Sequence, residues 1–510
     1  MNGQLPPSSA PQAGDGPEGL AILPEHFYLN WSRRLRPPVV IQENSGQAVP
    51  ERWLQQIWWH QRILRDKLTL IDGRSLQVLH PGFWNREAGP DFREAVLRIG
   101  DAAAMTGDVE VDRAESGWRS HGHAENPAYT RVILHVVWKP PITHQAPPLL
   151  ALEPYLEAPL HEMADWLEDV APSLLPASVP GRCAAPLAGV STAATIELLT
   201  QAARIRLKRK AGDFSLRARH VGWEAALLEG LMSGLGYRHN VWPMRRLAEL
   251  TADRIRPDAS PPTTDESGAK RIIGWEARLL GLAGMLSEPT RTQGGPSHLR
   301  TLWDAWWQER AAWQEQILPA SVWRLAGVRP ANHPHRRLAL GARWMAGGPL
   351  GDRMVDWLNG DVQGKAGAAE LRAILEPIEP EDSHWRWHWT LRSPRLSRSQ
   401  PLLGEGRTTD LAVNTVLPWL WARASTGDRP SLIQEIERRY FAWPAAEDNA
   451  ILRHGRQRLM GAAARRLPGR AALQQGLIQI NREFCESAGA LCSGCRFPEM
   501  VAAMPDGNPH

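Results

Sequence analysis

Polar and apolar positions change their period twice along this chain. Residues 1–48 carry Pro, Gly, Ser and Gln in their first half and keep no period, which predicts a flexible tail and an irregular lead-in. In ERWLQQIWWHQRILRDK, after Pro50, the residues Trp53, Leu54, Ile57, Trp58 and Leu64 fall on one helical stripe. Pro50 suits the first turn of that helix. The period then shortens to two. SLQVLHPGF, DFREAVLRIG, TGDVEVD and RVILHVVWK run between turn signals such as Asp72-Gly73, Gly89-Pro90 and Gly100-Asp101, and predict four strands. SGWRSHGHAENPAY, between the third and fourth, is polar enough for a loop with a short helix.

From 140 to 190 proline is dense, which predicts a connector carrying only a short helix near Leu160 to Leu167. Beyond 190 the helical period returns. In STAATIELLTQAARIRLKRK the stripe Leu198, Leu199, Ala202, Ile205 faces a core, and Arg204, Lys208 and Arg209 face outward. RPDASPPTTDESGAK, from Arg256 to Lys270, is expected to be a loop, and further helices are expected around 302–318, 336–345, 369–375, 410–424 and 432–441. The pattern predicts an α+β protein, a small sheet domain followed by a larger, mostly α-helical region. Its boundaries are a tail and lead-in at 1–48, an α/β domain at 49–145, a Pro-rich connector at 146–190, a helical domain at 191–480 and a cysteine-containing segment at 481–510.

Composition narrows the function classes. The 510 residues, 43% hydrophobic and 22% charged, describe an ordinary multidomain globular chain and exclude collagen, coiled coil or disorder as a whole. A net charge of +4 excludes a generic polyanion binder, so any nucleic-acid surface must be local. Lysine is confined to Lys67, Lys139, Lys208, Lys210, Lys270 and Lys365, and the other basic residues are Arg. That suits bidentate phosphate contacts, or reflects a GC-rich genome, which 24 Trp against 5 Tyr and 7 Phe also fit. The opening MNGQLPPSSAPQAGDGPEG has no basic stretch followed by an apolar one, and no run of about 18 uncharged apolar residues occurs. A cytoplasmic protein without a membrane partner is expected.

The candidate chemistry lies in the strand block. Asp91 follows Gly89-Pro90 at the mouth of a strand, and on the next strand alternation puts Asp108, Glu110 and Asp112 on one face with Val109 and Val111 on the other. Such an acidic stripe needs water or cations. One reading is a hard divalent cation held by carboxylate oxygens, which activates water and offsets charge on a phosphorane-like transition state. The other is the solvated face of an edge strand, whose acids deter edge pairing. His121 and His123 in RSHGH, and His135 on the last strand, are auxiliary candidates: proton donors, transition-metal ligands, or hydrogen-bonded core residues.

The succession helix, strand, Pro90-Asp91, Glu110-Val111-Asp112 and a further strand resembles the PD-(D/E)XK nuclease superfamily. The resemblance implies a mixed-sheet nuclease-like domain in which Asp91 and Glu110 bind catalytic Mg²⁺ (or Mn²⁺) and Glu51 is the assisting acid on the first helix. Asp112 departs from the pattern, standing where the superfamily carries Lys. AGPDF, GDVEV, SGW, HGH, NPAY and VILHVV, with the later RPANHPHRRLA, LAVNTVLPWL and the C-terminal cysteines, more closely resemble a bacterial family called domain-of-unknown-function family 2851.

Cys485, Cys492 and Cys495 form C-x6-C-x2-C, and Cys183 is the fourth cysteine. Four thiolates close a tetrahedral Zn²⁺ or a [4Fe-4S] cluster, and the alternative is reduced, unligated thiols. One distant and three grouped cysteines also resemble the cluster-holding set of some helicase-nucleases. RIRLKRK, with Arg204, Arg206, Lys208, Arg209 and Lys210, is the densest basic run, a nucleic-acid-binding candidate that Arg336 and Arg337 would extend, or a solvated helix face. The expectation is a metal-dependent nuclease acting on DNA or RNA. The alternative is a catalytically inactive, nuclease-like nucleic-acid-binding or scaffold protein.

Overall fold

The computed structural model describes residues 23–35, 49–85, 87–141, 147–167, 180–237, 239–255, 266–287, 297–360, 364–376, 380–461, 467–485, 492 and 494–504. The expected tail at 1–22 and most of the expected loop at 256–270 lie outside them. Two segments read as irregular are ordered. α1 (Phe27–Leu35) forms within the lead-in, and Glu266–Leu282 is a helix that takes up the end of the expected loop.

α2 (Glu51–His60) starts directly after Pro50 and stops at Gln61, which turns left-handed (φ 51°) and donates its N–H to the Ile57 and Trp58 carbonyls. Its apolar stripe, Trp53, Leu54, Ile57 and Trp58, is buried on a mixed sheet. The strands are β1 (Leu76–His80), β2 (Phe83–Trp84), β3 (Phe92–Ile99), β4 (Met105–Val111), β5 (Val132–Val137) and β6 (Leu149–Ala151), in the order β1-β3-β4-β5-β6, with β2 also on β3. β1, β3 and β4 are antiparallel neighbours; β4, β5 and β6 run parallel. A parallel pair requires a crossover of a dozen residues or more. Between β4 and β5 that crossover is residues 112–131, which contain α3 (Ser116–Ser120) and two short 3₁₀ turns.

Two corrections follow from this topology. β4 is paired on both sides, so its acids do not decorate an edge strand. The Pro-rich region is more than a connector, because Leu149–Ala151 supplies the last strand, and α4 (Leu160–Leu167) packs Leu160, Met163 and Leu167 into the core under the sheet. The short helix itself lies where the sequence places it.

The remainder is helical. α5 (Ala184–Gly189) leads into α6 (Thr192–Val221), 30 residues long, whose Ser191 side chain caps it by accepting the Ala194 N–H. α6 runs between three apolar clusters. Its N-terminal half joins α1, α5 and the C-terminal helices, its Ala203 and Leu207 enter the large helical core, and Leu216 reaches the core of the sheet domain. Trp306 and Trp313 are core residues, whereas Trp307 is exposed.

Candidate functional site

The β3–β4 register brings the acids together. Phe92 pairs with Val109, which sets Asp91, one residue before β3, beside Glu110. The two interlock: the Asp91 N–H donates to Glu110 Oε2 (3.1 Å), and the Val111 N–H donates to Asp91 Oδ2 (3.1 Å). From α2, Gln55 Nε2 donates to Asp91 Oδ1 at 2.9 Å and faces Glu51 Oε1 at 3.4 Å. Gln55 escaped the sequence reading, although its position one turn after Glu51 puts both on one helix face.

Asp108 has a different task from its neighbours. Its Oδ1 accepts the N–H of Glu94 (3.0 Å), a residue in the left-handed region (φ 57°) at the bulge where the β3–β4 register slips. It fastens a bulge and takes no part in the cluster.

The crossover carries the histidines over the C-terminal end of β4. His121 Nδ1 lies 3.3 Å from Asp112 Oδ1, His135 Nε2 lies 3.0 Å from Asp112 Oδ2, and His123 Nε2 lies 3.1 Å from Glu110 Oε1. Glu110 and His135 are direct partners across the parallel pair. Tyr129 stacks on His123 with centroids 3.9 Å apart, and Trp118 meets His123, Tyr129 and His135 with its ring. Asn126 holds the turn that presents Tyr129 by accepting the Ala128 N–H. Trp118 and Tyr129 lie in the SGW and NPAY motifs and carry no chemical signature of their own, so the sequence does not single them out.

Burial makes Asp91, Glu110 and Glu51 reluctant anions. Glu110 is 6% exposed, while His121 stands open at the rim with its side chain 54% exposed. Burial, then the charge of Asp91, pushes Glu110 up to about 9. Burial pushes Asp91 up to about 7, against the hydrogen bonds from Gln55 and Val111. Glu51 is raised by burial and then by Asp112, which places it in the same field. Burial holds His123 below the ordinary imidazole range, so its neutral form is favoured.

The donor set fits a cation. Both ring nitrogens of His123 and Nδ1 of His135 are buried without a well-formed hydrogen bond, and neutral imidazole is the form that ligates. Asp112, His121 and His123 offer ligand atoms that all lie within 4.8 Å of one another.

The basic run makes no open patch. Arg206 is buried and donates to Gln475 (2.6 Å), Arg209 donates to buried Glu483 (3.4 Å), and Arg204 pairs with Glu437 (3.3 Å) over the Phe441 ring. Lys208 is exposed, and Lys210 is half-buried. The reason is that α6 is covered on several sides by other helices, so its charges serve internal pairs. Arg336 and Arg337 are buried too, donating to backbone carbonyls at 385, 388 and 400–402.

Cys183, Cys485 and Cys492 are buried, Cys495 is partly exposed, and none forms a disulfide. No helix among the described residues is long and apolar enough to cross a membrane. A family model described as "Protein of unknown function (DUF2851)" matches residues 51–449, which include the whole carboxylate–histidine cluster. No curated protein and no solved structure matches the chain.

Proposed function

This chain belongs to the DUF2851 family, and from the cluster inside its matched region we propose that it is a metal-dependent nuclease hydrolysing phosphodiester bonds in DNA or RNA. The observation that carries the reading is the interlock of Asp91 with Glu110: two desolvated carboxylates on adjacent strands, Glu110 accepting the Asp91 N–H and Asp91 accepting the N–H of Val111, the residue after Glu110. Supporting it is the strand order, in which an antiparallel β1-β3-β4 set continues into a parallel β5 behind a helix, as the PD-(D/E)XK resemblance implies.

In this reading Asp91 and Glu110 are the ligands of Mg²⁺ or Mn²⁺. Such an ion, when bound, neutralises charge at the scissile phosphate and lowers the pKa of water. The protein's own groups do the rest. Gln55 and the Val111 N–H orient Asp91. Glu51, at the N-terminal turn of α2, supplies a further acid. Asp112, in the place of Lys, holds His121 and His135. His121, at the open rim, is the proton donor to the departing oxygen, with Asp112 as its orienting partner.

A second reading is favoured by the compactness of Asp112, His121 and His123, which suits a transition metal with imidazole ligands. Purified protein tested on single- and double-stranded DNA and RNA with Mg²⁺, Mn²⁺ or Zn²⁺ separates the two. Cleavage with Mg²⁺ that Asp91→Ala and Glu110→Gln abolish supports the first; cleavage that needs Zn²⁺ and fails in His123→Ala supports the second. Absence of cleavage, together with binding that persists in EDTA and is unaltered by Glu110→Gln, selects the noncatalytic nucleic-acid-binding protein.

A further inference from the structure

The four cysteines come from two distant stretches of chain, Cys183 and the group Cys485, Cys492 and Cys495, and meet in one place. Cys183 immediately precedes α5, Cys485 ends the π-helical turn Asn481–Cys485, and Cys492 and Cys495 precede the helix Phe497–Ala502. Arg458 links two of them: its carbonyl lies 3.8 Å from Cys183 Sγ, and its Nη2 donates to Cys492 Sγ at 2.8 Å. The Cys495 N–H closes a turn on the Cys492 carbonyl (3.2 Å), and Cys492 itself takes the left-handed region (φ 53°) with Gly494 (φ 73°). Cys183 and Cys485 lie in one apolar cluster with Leu187, Phe484 and Phe497, against which Cys495 packs.

We infer that Cys183, Cys485, Cys492 and Cys495 are the four ligands of a [4Fe-4S] cluster that ties the segment before α5 to the C-terminal end of the described chain. Chance burial of lone thiols does not account for four that converge on Arg458 and one apolar cluster. Thiolates gathered in an apolar cluster are costly unless a cation takes their charge. The guanidinium of Arg458 on Cys492 Sγ supplies part of that compensation, and hydrogen bonds to ligand sulfur are a lever on cluster potential.

The spacing of the thiols argues against a single ion. Sulfurs bound to one Zn²⁺ at about 2.3 Å stand about 3.8 Å apart. Among the described residues the group of three or more that closes to within 4.8 Å is Asp112, His121 and His123, and no three thiols gather so tightly. A cubane takes one thiolate at each iron corner and holds them wider. The surrounding anchors are consistent with a clasp: the buried carboxylate of Glu483, two residues before Cys485, accepts from Tyr28 and Ser32 of α1 and from Arg209 of α6.

The test uses the full chain, purified under anaerobic conditions and analysed for iron, acid-labile sulfide and zinc, with a visible spectrum. About four iron and four sulfide per chain are expected, with a broad absorption that dithionite bleaches. Cys183→Ser and Cys492→Ser should each lose most of the iron while circular dichroism reports whether the helices remain. Because the wild-type stoichiometry decides by itself, unfolding of a variant leaves the inference testable. Stoichiometric zinc in place of iron overturns it. So does a wild-type chain that holds no iron after anaerobic reconstitution with iron and sulfide and whose four thiols react with a thiol reagent under native conditions.

Discussion

Gly117 lies against Asp112: a methyl group on its Cα would sit 2.5 Å from Oδ1 and 3.0 Å from Cβ of the aspartate. The crossover from β4 can therefore fold back over the acid only because residue 117 has no side chain. Through that approach α3 sets the rim of the candidate site, with His121 immediately behind it.

Gly117→Ala should consequently displace Asp112 or lift α3. Alanine is otherwise the better helix former, so a loss here isolates the steric effect. The expected cost is about 1–3 kcal/mol in chemical denaturation, with cleavage at least about tenfold slower because the Asp112–His121 pair is displaced. Unchanged stability and cleavage rate would show that Asp112 has room to move.

Glu110→Gln should trade activity for stability. Burial and then the charge of Asp91 raise the cost of ionising Glu110, whereas an amide keeps an acceptor for the Asp91 N–H without the charge. In EDTA at neutral pH the variant should unfold about 1–2 kcal/mol later than wild type, a common sign of a functional site. Excess Mg²⁺ should narrow the gap by stabilising only the wild type. Calorimetric melting with and without metal checks both statements.

Far from the cluster, buried Glu276 accepts from His298 (2.7 Å) and the Trp385 indole (2.6 Å) and pairs with Arg343 (3.3 Å). Burial alone would raise its pKa, but the bond and charge of His298, then Arg343 and Trp385, outweigh it and hold the group at about 2, below the ordinary 4.5. A lowered folded-state value means that its contribution is complete above about pH 4.5 and is lost as pH falls toward 2. Wild type should lose about 3 kcal/mol from this group over that window. Glu276→Gln should be weaker at pH 7 and should show a flatter acid limb in denaturation measured against pH.

Arg336 is 1% exposed and donates to the carbonyls of Trp385, His388, Gln400 and Pro401, closing the 385–401 segment onto the helix Pro334–Ala346. Arg336→Lys should cost about 3 kcal/mol or more, since an ammonium cannot span a fork of carbonyls and strands several of them. Nucleic-acid affinity measured below the melting point should not change. A drop in affinity with stability intact would restore this arginine to a phosphate-binding role.

Much of this protein was legible in local pattern. The period-two runs are β1 with β2, β3, β4 and β5; the stripe after Pro50 is α2; and Asp91, Glu110 and Asp112 stand together because alternation on a strand and one antiparallel register require no distant information. Side-chain period and turn residues are properties of a few neighbours, so the chain declares them by itself. What only the tertiary structure decided depends on pairing across long separations. The parallel β4–β5 register carried His121 and His123 to the acids, central placement removed the edge-strand reading of β4, and helices packed around α6 turned a basic run into internal ion pairs. α1 and Cys183 follow the same logic: their partners lie hundreds of residues away, and no local period encodes which buried surface a short amphipathic segment or a lone cysteine will meet.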